Sequence, residues 1–381
     1  MGRPHYIDRD EEPEGPLETI SDGDADAPDP APSGLPVEAI DDGDPGTPAP
    51  AESGPFRFTV APEHGGWRLD RAIAASLPSV SRGRIQIWIE QGGARINSSL
   101  ARARDRVAPG DRVEVDLQEP AEAAAFRPEP MDLAIVYEDE LLIVIDKPAG
   151  LVVHPGAGNW SGTLLNGLLA HRADLSVVPR AGIVHRLDAG TTGLMVVAKT
   201  LAAQLDLVRQ LQQRSVVREY WAIVTGIAPA AGAIDAALSR DPRNPLRFRV
   251  SRRAEARAAR THYRRIGVSE PAAGQVGVAL SWLACRLDTG RTHQIRVHLE
   301  SIGHPLVADP LYSKGRPPLG GAALGLSRQA LHACRLSLRH PGHGGTVSWF
   351  RAPPHDLGQL MRAVGFEASR PIDAFETDRP Q

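Results

Sequence analysis

Cysteine is close to absent from this sequence. Cys285 and Cys334 are the only two in 381 residues, too few and too far apart to build a disulfide framework or a metal knuckle, which favours a reducing, cytoplasmic setting. No window approaches the ~18 uninterrupted apolar residues that a spanning helix needs, and the N-terminus has no apolar stretch after a basic start. Neither a membrane nor secretion is expected. Other chemistries are missing their residues. Lys147 sits in Asp146-Lys147-Pro148-Ala149-Gly150, which has neither the opening glycine nor the closing Lys-Ser/Thr of a phosphate loop, and reads as an RNA-backbone contact or a turn support. Gly156 to Gly162 has the wrong spacing for a dinucleotide fingerprint, which excludes a nicotinamide or flavin enzyme. The H-x-E and P-C-x-x-C pair of a zinc deaminase does not occur. His154 and His171 are isolated, and His293 and His298 do not share a helix face, so no metal is expected.

Charge, by contrast, is abundant and unevenly placed. The formal net charge is −3, yet residues 1–54 hold 15 acidic residues against Arg3 and Arg9, leaving 41 basic and 31 acidic residues in the other 327. The first segment has almost no large apolar side chains and is expected to be a disordered acidic extension, either a solvated tail or one that folds back on a basic body and competes with nucleic acid. The length and the 42% apolar content suit two domains plus tails.

From Gly66 the pattern changes. Leu69, Ala72, Ile73 and Ser76 share one helical face, and Ser81 reads as the N-cap of RGRIQIWIE, which stops at Gly92-Gly93. A strand pair over ARIN and DRVEVDL should follow, around the Pro109-Gly110 turn. Arg68, Arg71, Arg82, Arg84 and Arg95 crowd this stretch, either as an ordinary solvated face or as phosphate ligands. Residues 119–131, rich in Ala, Glu and Pro, read as a linker.

The stretch His185 to Thr200, HRLDAGTTGLMVVAKT, sets His, Arg and Asp side by side, passes through a small-residue turn and enters an apolar strand at Leu194 to Ala198. Asp188 is thereby a loop carboxylate against a buried strand. On spacing alone it reads as a residue that caps its own turn or pairs with Arg186, or as a reactive group with restricted hydration. Around it the sequence predicts a strand at Leu141 to Ile145, a helix over Thr163 to His171, a helix over Leu201 to Gln213 with Leu201, Leu205, Val208 and Leu211 as its apolar stripe, and a strand over Trp221 to Thr225 with Tyr220 at its entrance. Arg240 to Arg260 reads as an RNA-touching hairpin or loop, Ala279 to Leu287 as a strand, and Thr292 as the N-cap of a helix that ends at Gly303. Arg296 and Glu300, four apart on that helix, read plainly as a surface pair. Thr346 to Phe350 should be a closing strand, and the residues after Val364 a polar tail.

Four stretches in order carry a resemblance. HRLDAGTTGLMVVAKT, YEDELLIVIDKPAGLVVHPGAGN (137–159), VVREYWAIVTG (216–226) and LDTGRTHQIRVHLESIGHPLVADPLY (287–312) resemble the RluA-type pseudouridine synthases, and the basic unit at 66–118 resembles an S4 RNA-binding domain. The strings are most similar to the branch of that family that acts on large-ribosomal-subunit RNA. The resemblance implies an α+β chain: a small S4-like domain, then a pseudouridine synthase fold over 132–365, with a mixed, largely antiparallel sheet and flanking helices, and a tail at 366–381. It implies isomerisation of a uridine in RNA, most similar in kind to 23S-type rRNA or a pre-ribosomal particle, by a monomer with no cofactor. Carried over residue by residue, Asp188 is the essential carboxylate, as nucleophile or as base; Tyr220 stacks on the target uracil or takes its proton; Arg296 holds Asp188 ionised; and Arg186 fills the space left by the flipped base. Asp146, Ala189-Gly190 and the acidic extension depart from the family pattern and bear on target choice, leaving another rRNA or tRNA site as the alternative. A non-catalytic RNA-binding assembly factor on the same scaffold is the competing reading, and an intact Asp188, Tyr220 and Arg296 set argues against it.

Overall fold

The computed structural model of the chain describes residues 54–367 apart from 79, 118–120, 157, 270–276 and 314–324, together with 372, 374 and 375. Residues 1–53, most of the predicted acidic extension, lie outside the described residues.

The N-terminal unit opens with β1 (Gly54–Thr59), followed by helices α1 (Leu69–Ser76) and α2 (Arg82–Glu90) and strands β2 (Ala94–Ile96), β3 (Ser99–Leu100) and β4 (Arg112–Leu117). The sheet runs β1-β4-β2-β3. Ser81 caps α2 as its sequence predicts, its side chain accepting the Arg84 N–H. Val113 and Val115 alternate inward from β4 and meet Leu69, Ile73, Ile85 and Trp88 in a core of their own. β1 precedes the point where the sequence pattern first becomes regular, and it is held wholly by antiparallel pairing with β4.

The rest is built on one large sheet. Its strands are β5 (Ile135–Glu138), β6 (Leu142–Lys147), β7 (Thr192–Ala198), β8 (Val217–Thr225), β9 (Ala231–Asp235), β12 (Arg260–Ser269), β13 (Leu280–Leu287), β14 (Leu331–Arg339) and β15 (Thr346–Phe350), while β10 (Leu238–Asp241) and β11 (Asn244–Val250) form a separate hairpin. The order is β5-β6-β7-β14-β8-β13-β12-β9, with β15 also on β14. Only β7 with β14 is parallel, so the sheet is mixed and largely antiparallel, as the resemblance implied.

Both faces of this sheet are covered, which is why β6 and β7 read as continuous apolar runs instead of alternating. Ile143, Ile145, Met195, Val197 and Tyr220 look to one side, where α3 (Leu164–His171) supplies Leu164, Leu165 and Leu168 and α5 (Gln294–Ser301) supplies Ile295 and Leu299. Leu142, Val144, Leu194 and Val196 look to the other, against Ala203 and Leu207 of α4 (Leu201–Gln212). Trp221 and Trp282 continue that side under α6 (His355–Ala363).

Three local expectations are corrected. α4 forms and Val208 and Leu211 of its expected stripe pack on the core, but Leu201 and Leu205 are exposed and Ala203, Leu207 and Gln210 are buried; a sheet neighbour, absent from a periodicity count, turned the face. Tyr220 lies inside β8 instead of at its entrance, because the strand begins at Val217. In the segment expected to be a polar tail, Phe366 and Phe375 are buried.

Candidate active site

Asp188 is placed by the turn that leads into β7. His185 is buried and its Nε2 accepts the Val196 N–H at 3.0 Å, pinning the loop to the strand. Thr191 N–H closes the turn on the Asp188 carbonyl at 3.0 Å, and Gly150 N–H donates to Ala189 O at 2.8 Å. Lys147 is fully buried and spends its three donors on the carbonyls of Pro148, Leu151 and Ala189, each at 2.9 Å. It therefore ties two turns together, and the RNA-backbone role that its sequence allowed is excluded by its burial. Burial pulls its pKa down to about 7, with the Asp188 charge working in the opposite direction. The strand entrance needs Gly193, where φ is 111° and an added Cβ would lie 2.2 Å from the Ala333 carbonyl oxygen.

α5 brings Arg296 to this carboxylate from 108 residues away in sequence. Arg296 Nη1 donates to Asp188 Oδ2 at 2.9 Å, while Nε and Nη2 form a fork on Asp309 at 2.8 and 2.9 Å. Asp309 is buried and also accepts the N–H groups of Leu311 and Tyr312. Arg296 is thus not the surface partner of Glu300; Glu300 takes Arg247 instead, at 3.2 Å. Burial opposes the charge on Arg296, but the two carboxylates outweigh it and raise its pKa. Burial likewise pushes Asp188 toward its neutral form, and the neighbouring positive charge of His293 when protonated, of Arg296 and of Arg186 wins, so its pKa lies below the ordinary value. The consequence is an ionised carboxylate with unequal oxygens: Oδ2 is bound to Arg296, and Oδ1 has no hydrogen-bond partner among the described residues.

Tyr220 faces the same side of the sheet, 4% exposed, in a cluster that includes Leu187, Met195 and Cys285. Burial, aided by the Asp188 charge and opposed by Arg218, pushes its phenol up to about 12. It is therefore protonated at neutral pH, a flat apolar face with a hydroxyl edge. Arg186 is partly buried, and the Asp188 charge favours its protonated form against the desolvation that disfavours it. The three side chains singled out in sequence, Asp188, Tyr220 and Arg296, converge on one face of the sheet. Among the described residues no cluster of His, Cys, Asp or Glu could hold a metal ion.

With this geometry in hand, comparison with known proteins is direct. Residues 141–301 match the family described as RNA pseudouridylate synthase. The ribosomal large subunit pseudouridine synthase D of Neisseria meningitidis serogroup B is 49% identical over 317 residues, covering 81% of this chain and 82% of that protein. Those of Nitrosomonas europaea and Escherichia coli O157:H7 are 48% and 44% identical over 308 and 314 residues, covering 80% of this chain in both cases and 87% and 93% of those proteins. The chain belongs to the RNA pseudouridylate synthase family. Asp188, Tyr220 and Arg296 all fall inside the matched segment, and Asp309 lies just beyond it.

Two residues that stand beside the Asp188–Arg296 pair escaped the sequence reading. Asp309 lies in the apolar stretch Leu306 to Tyr312, inside the fourth resemblance stretch but given no role there; a carboxylate among Val307, Ala308 and Leu311 was the available signal, since such a group needs a buried cation. His293 was weighed only as half of a metal pair. The structure makes it the N-cap of α5 in place of Thr292, with φ at 56° and no side-chain cap bond, while Gln294 Oε1 takes the Arg291 N–H at 3.0 Å.

The basic residues of the N-terminal unit divide. Arg68 and Arg82 both donate to Asp70, at 3.2 and 2.9 Å for their shortest contacts, and Gln86 adds a third donor at 2.7 Å. Arg71 lies 3.8 Å over the Trp67 ring. Arg95 is on β2 opposite Glu114, and Arg84 follows the α2 cap.

Proposed function

We propose that this protein converts a uridine of large-subunit ribosomal RNA to pseudouridine, with Asp188 as the reacting carboxylate. The reaction breaks the C1′–N1 bond, turns the uracil and joins its C5 to C1′, with no change of oxidation state and no atoms gained or lost. A base must be presented outside its helix for this chemistry. One observation carries the assignment: Asp188 is kept ionised by Arg296 through Oδ2 while Oδ1 has no partner among the described residues. That oxygen is available to bond C1′ or to remove the C2′ proton. Tyr220 offers a protonated phenol ring on which an extruded uracil stacks, and Arg186 fills the gap in the RNA. The relatives named above, ribosomal large subunit synthases, support the choice of RNA.

The division of labour we infer gives residues 66–118 the grip on RNA, through Arg68, Arg71, Arg82, Arg84 and Arg95, residues 119–131 the linker, and 132–365 the chemistry, with 1–54 an acidic extension and 366–381 a tail. The protein acts as a monomer in the cytoplasm. No helix among the described residues is long and apolar enough to cross a membrane.

The test is a map of pseudouridines in rRNA and tRNA from cells with and without this protein, restored as wild type or as Asp188→Asn. Loss of a large-subunit site, regained with the wild type alone, is the expected result. A lost tRNA site would redirect the substrate, an unchanged map would remove the enzymatic reading in favour of an assembly role, and rescue by Asp188→Asn would remove Asp188 from its role.

A further inference from the structure

A hydrogen-bond chain behind Arg296 ends at His293. Tyr312 is fully buried, and its hydroxyl oxygen accepts the Phe248 N–H at 2.8 Å and lies 2.8 Å from His293 Nδ1. A phenol oxygen engaged by one donor has its own proton left to give. Among the described residues His293 Nδ1 is the only acceptor within reach of that proton, and Tyr312 itself is closed to solvent. The hydroxyl must therefore donate to Nδ1, which fixes Nδ1 as an acceptor and puts the proton of the neutral imidazole on Nε2. The ring is held in place by edge contacts to Tyr312 and Phe248, at centroid distances of 5.5 and 5.9 Å, and Arg296 lies 4.9 Å over the Tyr312 face. Nε2, on the far edge from Tyr312, has no partner among the described residues, and His293 is partly exposed.

His293 stands one helical turn before Arg296, whose guanidinium binds Asp188 at 2.9 Å and lies over the Tyr312 ring that holds the imidazole. His293 and Asp188 are close enough to bias each other's protonation, and burial outweighs that attraction, keeping the imidazole below its ordinary pKa and so neutral at physiological pH. Its backbone is left-handed, φ 56°, at the N-terminus of the helix that carries Arg296. A non-glycine residue held there costs of order 1 kcal/mol, and such positions persist where the side chain must be aimed.

We infer that His293 is a hydrogen-bond donor of the active site, its Nε2–H left free to donate by the Tyr312 hydroxyl on Nδ1, where it stabilises negative charge on the departing uracil. This rests on the reaction proposed above. When C1′–N1 breaks, the bonding pair stays on the uracil and spreads onto its carbonyl oxygens, while C1′ is compensated by Asp188 Oδ1, either as a new C1′–O bond or by loss of the C2′ proton to it. Nε2–H keeps its proton throughout and donates to a uracil carbonyl oxygen. A donor aimed at developing charge is worth roughly 10²-fold in rate.

The experiment combines single-turnover kinetics, on large-subunit rRNA purified from cells lacking this protein, with 15N NMR of histidine-labelled protein. His293→Leu should lose about 10²-fold in kcat with KM within about threefold. His293→Gln, whose amide nitrogen reaches the Nε2 position, should recover to within about tenfold of wild type. Tyr312→Phe keeps the ring packing and Arg296 contact but frees Nδ1, and should cost an intermediate factor. The NMR signal absent in His293→Gln should show Nδ1 unprotonated in the wild type and a tautomer mixture in Tyr312→Phe. Active wild type with an unaffected His293→Leu, a folded His293→Gln no better than Leu, or a wild-type ring protonated on Nδ1 would each overturn the donor role alone. A wild type inactive on every RNA would overturn the function proposed above and this role with it.

Discussion

Two charge clusters in this molecule are near mirror images. In the catalytic sheet one arginine, Arg296, is shared by two carboxylates, Asp188 and Asp309, all three largely buried. In the N-terminal unit one carboxylate, Asp70, is shared by two arginines, Arg68 and Arg82; the carboxylate is fully buried and the arginine side chains are about half exposed, 49% and 50%. The surplus charge differs in sign and in wetness. In the first, the unspent group is a negative oxygen on a side chain that is 15% exposed, where a nucleophile or base is useful. In the second, it is positive charge at the surface, where counterions and phosphates exchange. The same three-body arrangement therefore serves chemistry in one place and adhesion in the other, and what decides is which partner is duplicated and how deep the centre lies.

The largest effect should come from removing the shared centre of the buried cluster. Arg296→Met leaves Asp188 and Asp309 facing each other in the core without a cation, and breaking such a pair costs about 3–5 kcal/mol. Protonation of one or both carboxylates would relieve the repulsion, so the variant should lose Tm, read by thermal melting, and at least about 10³-fold in single-turnover rate. Asp309→Ala keeps the Asp188 contact but releases the fork that orients it, and a smaller loss, about tenfold, is expected. Equal losses in the two variants would mean that Asp309 does more than hold Arg296.

Acid should separate the two regions next. Burial, with Arg218 adding to it, lowers His185 to about 3, and burial lowers His332 to about 4. Both are neutral in the fold: His185 accepts the Val196 N–H and His332 bonds Thr192 Oγ1 and the Arg351 carbonyl. For groups whose folded pKa is depressed, stability is complete above the unfolded value, near ~6.5, and drains as pH falls toward the folded one. Two such histidines give a slope of about 2–3 kcal/mol per pH unit below pH ~6. Asp70 in the N-terminal unit, whose pKa is also lowered by its hydrogen bonds against its burial, gives up its contribution only below the ordinary carboxylate range. Urea midpoints followed from pH 7 to 4 should therefore fall for the catalytic sheet first. A transition in which both regions lose stability together above pH 5 would contradict the assignment to His185 and His332.

The contrast also explains what could be read without coordinates. α3, the apolar β6 and β7, and the turn that carries Asp188 were legible because each is specified by neighbours in sequence: a short apolar segment of helical length, a run of Ile and Val, small residues at a turn; the Thr163 cap was not read, and the helix starts one residue later than expected. Arg296 on Asp188 was legible only through family resemblance, since 108 residues separate them and periodicity offered Glu300 instead. The contacts of Asp309 with Arg296 and of His293 with Tyr312 were not legible at all, because each depends on a partner brought in by the fold. The buried face of α4 was legible only in part for the same reason: Val208 and Leu211 pack inward as expected, but that Leu207 and not Leu201 or Leu205 is buried is settled by the sheet that the helix meets.

The smallest effects belong to the exposed cluster, and they test whether its surplus charge acts on RNA. Asp70→Asn should cost about 1–2 kcal/mol of stability, less than Arg296→Met, because the released guanidinium groups of Arg68 and Arg82 are already half in water and keep their hydration. Arg68→Gln or Arg82→Gln removes one positive charge that a phosphate can take up in exchange for counterions. If these side chains grip the RNA backbone, the slope of log affinity against log salt should fall by roughly one per arginine, uniformly across RNA sequences. kcat at saturating RNA should stay unchanged, since neither side chain is in the catalytic cluster. A slope that does not move in either variant would leave Asp70 as a purely structural clamp, and the mirror relation between the two clusters would be one of shape without a shared logic of use.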